Sequence, residues 1–240
     1  MLSVKTYTKR IEHVKQQLAL HGIKAEFVFT YDADEISDAD LATTFGPSDL
    51  ARPHQSLVLK HIHTWRDAVA KGLQRILVFE DDVILASDFQ TGFHQAMCVA
   101  DALAPGYLIF FGGGDTKVPD CYFLSNNILV PLPIATAEAY VTDLPAMNRR
   151  LDWLKHNRVT LPADHLIRRI DGDCQIQHYW LRHPIVSQGT VTGLFVSALD
   201  IHRQKHSRWF NLCRHHWNKF QRHKVRGWFA RLRWLRFRRN

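Results

Sequence analysis

The stretch Arg75-Ile76-Leu77-Val78-Phe79-Glu80-Asp81-Asp82-Val83-Ile84-Leu85 decides how this chain is read. An apolar run of strand length ends in three consecutive acids, and a second apolar triplet follows. In α/β proteins the crevice beyond the C-terminal ends of strands is where ligands bind. Adjacent anions repel, so a positive partner is expected there, and a divalent cation bridging to phosphates supplies one. On a strand, alternate residues share a face, which puts Glu80 and Asp82 on one side and Asp81 on the other. Asp82, with Glu80, is therefore the candidate ligand pair for Mn2+ or Mg2+. Both ions accept carboxylate oxygens and keep positions open for phosphate. The competing possibility is an acidic surface turn.

Outward from this stretch, strands and helices alternate. Arg10, Ile11, Val14 and Leu18 recur at helical spacing, with Gly22 as a stop. Leu2–Val4 and Glu26–Thr30 read as strands. Val58, Ile62, Trp65 and Val69 line one face of a helix that stops at Gly72. Phe89–Ala102 reads as a helix, and Leu108–Phe111 as a strand ending in Gly112-Gly113-Gly114-Asp115. Further on, Leu144, Met147, Leu151 and Leu154 suggest a helix and Asp164–Ile170 a short one. Gln175–Trp180 and Thr190–Ser197 are candidate strands. The alternation predicts an α/β sheet with a right-handed wind.

Charge divides the chain in two. Of 31 Lys and Arg, 13 fall in residues 201–240, which hold no Asp or Glu. The first 200 residues keep 18 bases against all 23 acids, a net of −5 beneath the overall +8. The expected organisation is a body over 1–200 and a basic tail over 201–240. The tail carries Trp209, Trp217, Trp228 and Trp234. Cys213, Trp217 and Phe220 are at helical spacing there, as are Val225, Trp228 and Leu232. Basic amphipathic helices with aromatic apolar faces lie in anionic lipid interfaces, so the tail predicts peripheral attachment to a membrane. Nucleic acid is the rival partner, through stacking on Trp and Arg on phosphates; the acidic body counts against it. No apolar run is long enough to span a bilayer, and Met1–Tyr7 lacks the apolar centre of a signal peptide. Cys98, Cys121, Cys174 and Cys213 form no C-x-x-C pair, which points to reduced and mostly buried thiols in a cytosolic protein.

The ordered motifs resemble a known family. Ser56-Leu57-Val58-Leu59-Lys60-His61-Ile62-His63-Thr64-Trp65, the apolar strand, Glu80-Asp81-Asp82-Val83 and Phe89 are similar to the bacterial lipooligosaccharide glycosyltransferases of family 25. Arg10 matches that family's arginine after the first strand, and Asp32-Ala33 its aspartate after the second. Thr136–Val141 resembles its Ala-Tyr strand and Leu161-Pro162-Ala163-Asp164 its Pro-x-Asp. Pro184–Gln188, with Ser197, resembles its closing segment. Two departures stand out. Met1-Leu2-Ser3-Val4-Lys5 lacks the Asn and Asp of the family's first strand, and Lys60 stands where the family has serine before its histidine.

The resemblance implies a GT-A-type fold and a nucleotide-sugar donor bound by Arg10, Asp32, His61, Glu80, Asp81 and Gln188. It also implies a divalent metal at the acid triplet. The transferred group would be a hexose, galactose or glucose, moved with inversion to a lipid-linked saccharide of the lipooligosaccharide or lipopolysaccharide type. Such an enzyme would work on the cytoplasmic face of the membrane. Inverting transfer needs a base within reach of the acceptor hydroxyl. Asp164 and Asp115 are the candidates, although Asp164 also suits a helix N-cap and Asp115 a turn. The alternative is a non-catalytic membrane- or nucleic-acid-binding protein built on a degenerate transferase body.

Overall fold

Strand β3 (Tyr107–Phe110) is buried along its whole length. Leu108 and Phe110 enter one apolar core, while Tyr107, Ile109 and Phe111 enter another. The same period-2 split runs through β5 (Ala139–Asp143), with Tyr140 on one side and Ala139 and Val141 on the other. A strand with both faces covered reads as a continuous apolar run, which is why these segments are apolar without alternation. The result is a sheet between two helical layers. This computed structural model describes residues 1–112, 127–132 and 135–195, together with residues 213, 216, 217, 220 and 221. Asp115, Gly113, Gly114, Cys121, Ser197 and most of the basic tail lie outside the described residues.

The five-stranded sheet has the order β1-β5-β3-β6-β4, from β1 (Arg75–Phe79), β4 (Leu129–Pro131) and β6 (Gln177–Leu181) with the two strands above. Of the neighbouring pairs in this sheet β3–β6 is parallel and the others are antiparallel; β5 lies antiparallel between β1 and β3. The expected α/β sheet is therefore a mixed one. Beyond β1, Leu2 bridges in parallel to Glu80 on one side and to Val28 on the other. The expected strands at Leu2–Val4 and Glu26–Thr30 reduce to these single bridges, although the backbone bonds from Leu2 to Phe79 and from Ser3 to Val28 hold the chain in line. A two-stranded ribbon, β2 (Val83–Leu85) with β7 (Val186–Gln188), caps the strand ends. Thr190–Phe195 is turn, not strand; the pairing segment lies just before it.

One layer is α1 (Thr8–Leu20) and α4 (Phe89–Ala100); the other is α3 (Arg52–Ala70), α5 (Leu144–His156) and α6 (Ala163–Asp173). Both α1 and α3 stop at a glycine with φ near +64°, Gly22 and Gly72. In each case the next residue donates back five positions, Ile23 to Leu18 and Leu73 to Ala68, which satisfies a terminal carbonyl. The short α2 (Asp38–Thr44) was not anticipated; Ser37 caps it by accepting from the Asp40 amide. Cys98 and Cys213 are exposed and Cys174 is half-buried, so the expected burial of the thiols does not hold for them. In the tail, Cys213, His216, Trp217 and Phe220 are helical, and the exposed Trp217 and Phe220 rings stack 5.8 Å apart.

One buried charge pair ties the second layer to the sheet. Arg150, fully buried on α5, makes two 2.7 Å bonds to Asp171 of α6 and one of 2.8 Å to Thr142 of β5. His178 of β6 lies 2.7 Å from the same Asp171 carboxylate. Burial would raise the Asp171 pKa, but Arg150 and the hydrogen bonds outweigh it and hold the carboxyl below its usual range. A depressed carboxyl contributes stability above its unfolded pKa of about 3.9, and loses it as pH falls through the folded value. Arg150→Met strands that carboxylate, and the expected loss is about 3–5 kcal/mol at pH 7, read from urea unfolding. The difference from wild type should narrow in acid; a pH-independent difference would point to packing alone.

Candidate functional site

The three acids do not alternate. β1 ends at Phe79, and Asp81 and Asp82 form the turn into β2. Freed from the pleat, all three line one cavity of about 470 Å3, which corrects the expected placing of Asp81 on the opposite side from Glu80 and Asp82. The floor of the cavity is the N-terminal segment from Leu2 to Tyr7 with Arg10. Its walls are Ala33 and Asp34 from the loop after Val28, Pro53 to Lys60 of α3, and Gln188 and Thr190.

Each acid has a different partner. Asp81 accepts 2.7 Å from Ser3 Oγ and 2.9 Å from Arg10, so both of its oxygens are held. Arg10 also lies over the Tyr7 and Phe195 rings, 4.7 and 5.5 Å from their centroids. Asp82 accepts on Oδ2 from the hydroxyl and amide of Thr190, at 2.5 and 3.3 Å. Its Oδ1 is buried with no hydrogen-bond partner among the described residues. Burial raises the Asp82 pKa against these bonds and Arg10. Glu80, with 17% of its side chain exposed, is the acid least provided for. Burial, then Asp82, Glu138, Asp81 and Asp164, push its carboxyl well above the usual range.

Of the other predicted residues, Asp32, His61 and Gln188 lie in or under this cavity. Asp32 is buried, accepting from the Lys5 amide at 2.9 Å and from Lys60 Nζ at 2.8 Å. Lys60 also bonds the Thr30 carbonyl at 2.7 Å, and burial lowers its pKa against the pull of Asp32. Tyr31, just before, has φ of 67°, a strained value for an aromatic residue; Ser56 Oγ holds its carbonyl at 2.6 Å. His61 sits beneath the cavity instead of in it, 1% exposed. Burial, then Arg150 and the chain's amino terminus, lower its pKa to about 3, so the ring is neutral. Gln188 closes β7 beside Thr190 at the cavity wall. Asp164 is not an N-cap: Pro162 holds that position, and Asp164 stands in the first turn of α6 with its side chain 46% exposed. It does not line the cavity, but its charge reaches Glu80. Asp115 lies outside the described residues.

Ser3, Thr190 and the buried Glu138 were not singled out from sequence, and Tyr140 entered only through the Ala-Tyr strand of the resemblance. Glu138 explains Gly112, where an added Cβ would collide with the Glu138 carboxylate. The backbone there makes its close approach to an acid. Thr190 is 108 residues from Asp82, and no local pattern marks such a pairing.

Residues 1–104 match the family model of glycosyltransferase family 25 (LPS biosynthesis protein). A comparison with curated proteins finds none that matches. The family 25 match supports glycosyltransferase activity, with a nucleotide-sugar donor and a saccharide acceptor. Arg10, Asp32, His61 and the acid triplet fall inside the matched span. Asp164, Gln188 and Thr190 lie beyond it, and two of these three line the same cavity.

A divalent cation suits part of this donor set. Among the described residues no group of three or more His, Cys, Asp or Glu side chains is arranged to hold a metal. Mg2+ is commonly held by one or two carboxylates with the rest of its shell from water and phosphate. Asp82, with an unpartnered Oδ1, and Glu80 fit that mode and no fuller one.

Glu80 gives a stability test. A raised carboxyl stabilises the fold below its unfolded pKa of about 4.3, and that contribution is lost as pH rises through the folded value. Glu80→Gln removes the charge and keeps the shape. It should raise the melting temperature at pH 8 and leave it nearly unchanged at pH 4; equal shifts at both would contradict the crowding of charge at Glu80.

Proposed function

We propose that this chain transfers a hexose, galactose or glucose, from a nucleotide sugar to a lipid-linked saccharide of the lipopolysaccharide type, with inversion. The observation that carries the proposal is the buried Oδ1 of Asp82, without a partner among the described residues, in a cavity that also holds Arg10 and Lys60. Asp82 and Glu80 would hold Mn2+ or Mg2+, whose chemistry there is to neutralise charge on a leaving diphosphate. Arg10, steadied by Asp81, faces the same charge from the cavity floor. Thr190 fixes the direction of Asp82, and Gln188 flanks the donor. Asp164 is the candidate base for the acceptor hydroxyl, with Asp115 as its rival. Asp82→Asn is expected to abolish transfer in a screen of nucleotide hexoses with manganese, while circular dichroism stays native. Mn2+ should raise the melting temperature of wild type but not of Asp82→Asn; a folded, fully active variant refutes the assignment.

The tail over 201–240 would bring the enzyme to its acceptor on the inner face of the cytoplasmic membrane. No helix among the described residues is long and apolar enough to cross a membrane. Support comes from the 13 bases without an acid and from the exposed Trp217–Phe220 stack. Each base near an anionic surface contributes about 1 kcal/mol. The full chain should co-sediment with vesicles containing phosphatidylglycerol, and not with phosphatidylcholine alone, at physiological salt. Binding to duplex DNA that survives an excess of those vesicles would favour the nucleic-acid alternative instead.

A further inference from the structure

Beneath the cavity, three polar side chains form a line that ends at Glu80. Trp65 Nε1 donates to the Tyr140 hydroxyl oxygen at 3.0 Å, and that hydroxyl lies 2.9 Å from His61 Nδ1. An indole nitrogen donates and never accepts. Tyr140 therefore accepts from Trp65, and among the described residues its own proton has His61 Nδ1 as acceptor. A histidine whose Nδ1 accepts carries its hydrogen on Nε2. That Nε2 is buried, has no hydrogen-bond partner among the described residues, and lies 3.9 Å from Glu80 Oε1.

We propose that His61 is a positioning residue for Glu80. Its Nε2–H, aimed by the Trp65–Tyr140 pair, takes one carboxylate oxygen and turns the other into the cavity. His61 thereby acts on a donor through Glu80, not by touching it. The present 3.9 Å is longer than a hydrogen bond, so the contact tightens when a ligand engages Glu80. The part of this that concerns donor handling rests on the transferase proposal above; the tautomer and the contact with Glu80 do not.

Long-range 1H–15N NMR of the full chain reads the tautomer directly. Wild type should show His61 as Nε2–H, and Glu80→Gln should shift that Nε2 resonance. Tyr140→Phe, which removes the proton that Nδ1 accepts, should shift the Nδ1 resonance while Nε2 keeps its hydrogen. Kinetics with UDP-galactose and UDP-glucose as donors supply the second readout. His61→Leu should lower kcat ~10-fold or more with donor KM changed less than ~3-fold. His61→Gln, whose amide keeps both a donor and an acceptor, should recover most of the loss. A wild-type Nδ1–H tautomer, or an Nε2 resonance indifferent to Glu80→Gln, overturns the proposal. So do equal losses in folded Leu and Gln variants. If wild type transfers from neither donor, the transferase proposal loses its support while the NMR measurements still decide the relay.

Discussion

Negative charge gathered where β1 ends is the constraint around which this fold is arranged. Two like charges about 4 Å apart near a protein surface repel by roughly 4 kcal/mol, and here Glu80, Asp81, Asp82 and the buried Glu138 act on one another. Each neighbouring element removes part of that repulsion. The N-terminal segment brings Ser3 and α1 brings Arg10, both to Asp81. The turn after β7 brings Thr190 to Asp82. Glu80 keeps its excess, and that excess is the charge the proposed cation would meet. A site with every acid paired would have nothing left to attract one.

Trp65 connects this cluster to the buried pair on the same side of the sheet. Its ring lies 5.0 Å from the Arg150 guanidinium, and its indole N–H orients Tyr140. Arg150 in turn helps to keep His61 neutral from below. Stability and site geometry therefore share residues, and a change at Arg150 would be felt at His61 through electrostatics. Buried polar groups of this kind are costly unless every member is satisfied; among the described residues His61 Nε2 and His178 Nδ1 have no hydrogen-bond partner, and His61 Nε2 is the one 3.9 Å from the cavity acid Glu80.

Local patterns in the sequence disclosed the elements whose pattern is local. The faces of α1 and α3, their glycine stops and the run from Ile76 to Phe79 follow from period and capping, and the structure has them. Long-range pairing was not legible. Nothing near Tyr140 announces that β5 inserts antiparallel between β1 and β3, and nothing near Thr190 announces a bond across 108 residues. Strict alternation misplaced Asp81 because a pleat was assumed where the strand had already ended. His61 was legible as a residue of the site but not as one beneath it, since burial is a tertiary property.

The departures from the family pattern converge on a single carboxylate. Lys5 stands where the family has an acid, and its amide donates to Asp32 while its ammonium pairs with Glu35. Lys60 stands where the family has serine, and its ammonium bonds the other oxygen of Asp32. Two lysines thus answer the acids Asp32, Asp34 and Glu35 on one loop, which Ser56 pins at the strained Tyr31. Random decay of a transferase body would leave Lys60 buried without a partner, an arrangement that costs several kcal/mol. Ser3, at the position of the missing Asn, still delivers a hydrogen bond to the acid triplet through Asp81. The substitutions are compensated as a set, which favours a retained donor site over a degenerate one.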